Sequence, residues 1–165
     1  MNSVRELPQV PEMARRLGVE IWKTVVVNFF VNTAWQFEEY LERCGCKAHG
    51  SLQHFLQYVY FPYVGDYGER RVVLTTPRQL GFTVPVSMKK LCEQAVKMGL
   101  KKCTVQLALN VRTQFMEQVG ADLVHAGMEQ VEQMHICYVR YGNDFWACAT
   151  GLQQLDPDSK VIFRL

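Results

Sequence analysis

Cys44, Cys46, His49 and His54 put four zinc-ligand side chains into eleven residues, in the order C-x-C-x2-H-x4-H. Thiolates and imidazoles are the usual donors of a structural zinc site, and a chain reversal at Gly45 could fold this segment back on itself. Structural zinc sites, however, pair ligands two to four residues apart on a turn and place the second pair well away. C-x-C does not reproduce that spacing. The plainer reading puts Cys44 in the core of a helix and the histidines on the surface, and no metal or other cofactor is expected.

A second group lies further along the chain. Arg112 and Gln114 alternate within Asn110 to Phe115, a segment that reads as a strand, so both would share one face. An Arg and a Gln side by side can grip a carboxylate or phosphate. Glu129 and one of His125 or His135 would complete a small-molecule site, and the alternative is an ordinary polar strand face paired with Glu129. Cys103 follows Gly99 closely and precedes a short helical turn, where a thiolate would be favoured if a base such as His125 or His135 stood near. A buried, inert cysteine is the simpler expectation.

Tyr58, Tyr60, Phe61, Tyr63 and Tyr67 crowd one loop, and Trp146 sits beside a tight turn. Exposed rings of this kind anchor protein partners, which gives Tyr58, Tyr60, Tyr63, Tyr67 and Trp146 as partner-binding candidates; core packing claims Phe61 and at least one tyrosine in the alternative. With Arg70, Arg71 and Arg140 the same rings could stack on single-stranded bases. The formal charge is only +2 and the basic residues are scattered. A nucleic-acid surface usually gathers its charge on one face, so nucleic acid is not the expected partner. The sequence contains no phosphate-binding glycine loop, dinucleotide fingerprint, H-E-x-x-H or G-x-S-x-G.

The elements that must position these residues follow from periodicity and punctuation. Glu20 to Val27 is β-rich. Thr33 is placed to cap a helix over 34–44 that Gly45 stops, Gly50-Ser51 opens another whose stripe is Leu52, Phe55, Leu56 and Val59, and Ser87 caps a third over 88–98 closed by Gly99. Arg71 to Thr75 reads as a strand, and Thr104 to Ala108 as a single turn. Asn110–Phe115, Leu123–Met128, His135–Tyr141 and Asp144–Ala149 read as four strands, the last two joined by a hairpin at Gly142-Asn143, and Val161–Phe163 closes the sheet. The order predicts an α+β fold: a mainly antiparallel sheet from the C-terminal half with three short helices packed on it. Residues 1–17, with Pro8 and Pro11, read as a flexible N-terminal arm holding at most one helical turn, and 18–165 as a single domain.

A chain of 165 residues with 48% hydrophobic content can bury a core without staples. No apolar run approaches the ~20 residues of a membrane span, and the first fifteen residues offer no signal-peptide core. Six cysteines without such a signal read as reduced thiols in a cytoplasmic protein.

Several short pieces, in order and at near-constant spacing, resemble a family of small uncharacterised proteins abundant in candidate-phyla bacteria. They are Trp22-Lys23-Thr24, Thr33 with Phe37, Leu80-Gly81-Phe82, Gly99-Leu100-Lys101-Lys102-Cys103, Val111-Arg112-Thr113-Gln114-Phe115 and Met128-Glu129. The similarity covers residues from about 20 to 165 and is ungapped from Leu80 to Val131. It departs from the family at Thr104–Leu109, where relatives carry Pro-Ala-Glu-Val-Gly-Pro, and at Ser51–His54, where they often carry Trp-Ala-Asn-Asp. The resemblance implies a bacterial protein and an architecture; it implies no activity. Together these readings lead to a non-enzymatic accessory domain acting through a protein partner. A small enzyme or small-anion binder built on Arg112, Gln114 and Glu129 is the alternative, and single-stranded nucleic-acid binding is a weaker one.

Overall fold

The computed structural model describes residues 7–27, 33–59, 68–115 and 123–165. In chain order the elements are α1 (Glu12–Arg16), β1 (Ile21–Val27), α2 (Ala34–Arg43), β2 (Cys46–Ala48), α3 (Gly50–Leu56), β3 (Gly68–Thr75), α4 (Met88–Lys97), α5 (Val105–Gln114), β4 (Val124–Ala126), β5 (His135–Tyr141), β6 (Asp144–Thr150) and β7 (Lys160–Arg164). No helix among the described residues is long and apolar enough to cross a membrane.

The helix boundaries have local causes. The side-chain oxygens of Thr33, Ser87 and Thr104 accept from the N–H groups of Gln36, Lys90 and Leu107, satisfying donors that a helix start leaves open. Gly99 ends α4 at φ +85°, and the Gly99 and Leu100 N–H groups return to the carbonyls of Val96 and Ala95.

The seven strands of the described residues belong to one mixed sheet in the order β1-β3-β7-β4-β5-β6-β2. The pairs β1–β3, β3–β7, β4–β5 and β5–β6 are antiparallel, whereas β4–β7 and β2–β6 are parallel. Helix α5 packs on both β1 and β5, which stand four strand spacings apart, roughly 19 Å in a flat sheet. A helix only about 10 Å across reaches both because the sheet curls around it. Its residues 106–112 are all buried. Within the curl, α5, α2 and α3 share one core with Val25, Val72, Ala126, Tyr138 and Ile162. On the other sheet face a second core gathers Val73, Val161 and Phe163 with Ala14 of α1 and Leu91 and Ala95 of α4.

The sheet is mixed, with two parallel pairs, and takes β1, β2 and β3 from the N-terminal half, where a mainly antiparallel sheet from the C-terminal half was expected. Two further features differ from the sequence reading. Asn110–Phe115 is not a strand: Asn110 to Gln114 end α5 and Phe115 caps it, and with α1 this makes five helices among the described residues where three were expected. Residues 106–112 are buried on every side of the helix, the polar Gln106, Asn110 and Arg112 included, and a run so buried does not separate helix from strand by periodicity. The second is β2, three residues long and added in parallel to the β6 edge.

Candidate functional site

An open groove of about 820 Å³ runs between the outer face of α4 and the segment that leads from β4 toward β5. Lys89, Cys92, Glu93, Val96 and Lys97 form its helical wall, and Met128, Glu129, Gln130 and Gln133 the opposite one, with Lys102 at the end. Val96 is 51% exposed although it is apolar. It breaks the pattern of a helix that otherwise turns its hydrophobic stripe inward. The Cys92 thiol donates to the Met128 carbonyl at 3.6 Å, and burial pushes it up to about 12, so it serves as an apolar floor and not as a nucleophile. Lys102 faces Glu129 at 3.5 Å. Among the described residues Lys89 and Lys97 make no ion pair.

Behind Gln130 lies a buried imidazole pair. His125 is directly opposite Cys137 in the β4–β5 register, and His135 is the diagonal neighbour two residues earlier on the same face. Gln130 Nε2 donates to His135 Nδ1 at 3.3 Å, which leaves the His135 proton on Nε2, where it is donated to His125 Nδ1 at 2.9 Å. Burial holds His125 down at about 4. Burial, and then the neighbouring His125, hold His135 down at about 3. Both rings are neutral at pH 7 and are tied into a short chain that ends on the groove wall.

A second hollow of about 410 Å³ adjoins the groove and shares Lys102, Met128 and Glu129 with it. Tyr58, Val59, Cys103 and Thr104 line its far side. The structure thus brings together three residues singled out in sequence: Glu129, Cys103 and Tyr58, the last 53% exposed. Cys103 is buried, with its thiol on the Ile162 carbonyl at 3.6 Å. His125 and His135 are in contact with each other and stand on the sheet face that carries Cys137, not beside the Cys103 thiol.

Arg112, Gln114 and Glu129 do not converge. Both α5 residues sit on a helix where a strand face was expected. Arg112 is fully buried inside the curl; its Nη2 donates to the Val139 carbonyl at 2.9 Å, and its guanidinium lies 5.9 Å from the Tyr138 ring and 5.2 Å from that of Phe145. Desolvation lowers its pKa, yet guanidinium remains charged in proteins. Gln114 turns to the backbone of Val26.

The other candidates have local partners. Cys44 caps the end of α2, Cys46 is buried on β2, the His49 ring caps α3 by accepting from Ser51 N–H, and His54 packs on Tyr58. Among the described residues no three His, Cys, Asp or Glu side chains could hold a metal ion together. Trp146 is half-buried between His49 and Lys47. Tyr60, Tyr63 and Tyr67 lie outside the described residues.

Sequence reasoning passed over the groove because its helical wall looks like a solvated face. Only the spacing of Lys89, Glu93, Val96 and Lys97, one apolar residue among charges on the outer side of α4, pointed to it.

Fold and groove together define an α/β domain whose curled sheet encloses a central helix and whose outer face carries an elongated, partly apolar hollow. No protein-family model matches the chain, and no curated protein or solved structure matches it either.

Proposed function

We propose that the chain is a non-enzymatic binding domain that takes a short apolar segment of a protein partner, flanked by acidic residues, into the groove beside α4. The observation that carries this is the groove itself. It offers an apolar floor and wall at Cys92, Val96 and Met128, and cationic side chains at Lys89 and Lys97 that have no anionic partner among the described residues. Its volume lies within the ~300–1,000 Å³ range of ligand-binding clefts. Two lysines above apolar carbon suit a peptide whose hydrophobic side chain enters the floor while its carboxylates meet the rim. Tyr58 at the far end of the adjoining hollow extends the surface with an aromatic anchor of the kind that dominates protein contacts.

The reading predicts no turnover chemistry, and the neutral histidine pair fits a supporting part: it fixes Gln130 from behind. The test is comparative capture from lysate with wild type, Val96→Asp, a Lys89→Glu/Lys97→Glu double variant, and Leu152→Asp as a control elsewhere on the surface. A protein retained by wild type and the control but released by both groove variants supports the proposal. Equal retention by all four, or no retained protein, overturns it.

A further inference from the structure

We propose that Cys137 and Cys148 form a reversible disulfide across the β5–β6 hairpin, giving this sheet face a thiol redox site. The two residues are directly opposite each other in the register. Main-chain directions fix which kind of pair they make. The Ala147 carbonyl and the Ala149 N–H both turn outward, to His49 N–H and the Ser51 hydroxyl, and the Ile136 N–H turns the other way to the Met128 sulfur. Cys137 and Cys148, lying between these residues, therefore exchange their main-chain bonds with each other. The count from the two-residue turn at Gly142-Asn143 gives the same answer.

Hydrogen-bonded antiparallel pairs hold their Cα atoms about 5.5 Å apart, inside the disulfide range, but their Cβ atoms are usually somewhat wider than a relaxed disulfide prefers. A bridge at this position would form and also be easily reduced, which is the character of a regulatory bond and not of a structural one.

Access divides the roles. Cys148 is partly exposed and Cys137 is buried. The thiol of Cys148 is pushed down first by the hydrogen bond from Cys137 and then by the Arg112 charge, while that of Cys137 is pushed up. Cys148 is thus the attacking thiol and Cys137 the resolving one. With a low-molecular-weight disulfide such as oxidised glutathione as oxidant, the Cys148 thiolate attacks one sulfur, the glutathione S–S bond breaks, and one glutathione thiolate leaves and is protonated. Cys137 then gives up its proton and attacks the Cys148 sulfur, expelling the second glutathione as thiol. Two protein thiols are oxidised and one glutathione disulfide is reduced to two thiols.

The experiment incubates the folded protein with oxidised glutathione, follows circular dichroism to confirm that the fold persists, and maps tryptic peptides. Cleavage after Arg140 separates the two cysteines, so the bridge appears as two peptides joined by a bond that dithiothreitol removes. The expected result is this species as the main product in wild type, a glutathione adduct on Cys148 in Cys137→Ser, and unmodified Cys137 in Cys148→Ser. Wild type alone decides the matter if a variant does not fold: free thiols at both positions, or a bridge to any other cysteine as the main product, overturns the assignment.

Discussion

The side-chain amide of Gln114, near the end of α5, pairs with both backbone polar groups of Val26. Val26 N–H donates to Gln114 Oε1 at 3.0 Å, and Gln114 Nε2 donates to the Val26 carbonyl at 2.6 Å. β1 is one of the two outer strands of the sheet, and an outer strand exposes unpaired groups that can recruit another chain. The amide behaves as one residue of a missing neighbour strand. Replacing it with Ala is expected to destabilise the protein by roughly 1 kcal/mol, since the bonds are exposed to solvent, and to increase concentration-dependent association. Urea denaturation and light scattering check the two parts, and unchanged scattering would show that the clamp does not guard the edge.

Gly127 fits against the ring of Phe163 so closely that an added Cβ would stand 2.3 Å from a ring carbon. Phe163 is fully buried and cannot swing away. Gly127→Ala is expected to cost about 1–3 kcal/mol, the usual range for overpacking. In a Phe163→Leu background, which shortens the opposing group, the same change is expected to cost less than half as much. A double-mutant cycle by chemical denaturation measures that coupling, and additive costs would assign the glycine another role.

What the sequence discloses about this fold depends on how strongly each local signal is tied to one structure. Capping oxygens at Thr33 and Ser87, the stop at Gly99 and the hairpin at Gly142-Asn143 act over three or four residues, and the structure uses each as read. The helix over Val105–Gln114 escaped because burial on all sides erases the amphipathic pattern; alternating Arg112 and Gln114 then mimicked a strand face. The paired imidazoles of His125 and His135 depend on a β4–β5 register that no local signal specifies. The groove was hidden for a related reason: α4 supplies one wall, and the other comes from a segment more than thirty residues later.

The histidine pair makes stability depend on pH. Both rings are held neutral in the fold, with pKa values of about 4 for His125 and about 3 for His135 against the ordinary 6.5. The unfolded chain therefore binds more protons between these limits. Their contribution is complete above pH 6.5 and is lost as pH falls toward 4 and then 3. At about 1.4 kcal/mol per unit, the shift is worth roughly 3 kcal/mol for His125 and roughly 5 kcal/mol for His135. The Arg78–Asp158 pair acts lower, because its hydrogen bonds hold the carboxylate below its usual value. Denaturation curves from pH 7.5 to 4 are expected to show a steep loss in wild type and a much flatter one in His125→Gln/His135→Gln. Parallel slopes would contradict the neutral pair.

Arg112 tests what a buried cation does inside the curl. Its stem passes through the core, and its flat head lies between the Tyr138 and Phe145 rings with a bond to Val139. Arg112→Ala removes both contacts and leaves a cavity, with an expected cost of about 3–5 kcal/mol. Arg112→Met keeps most of the stem and removes the need to desolvate a charge; the Val139 carbonyl still faces β6, so the expected cost is below about 1.5 kcal/mol. Arg112→Lys retains the charge but lacks a planar head to stack on the rings, and should fall between the two. Urea denaturation of the three variants gives the order directly. If Met proved as damaging as Ala, the guanidinium would be contributing through its charge and hydrogen bonds, and not chiefly through the space that it fills.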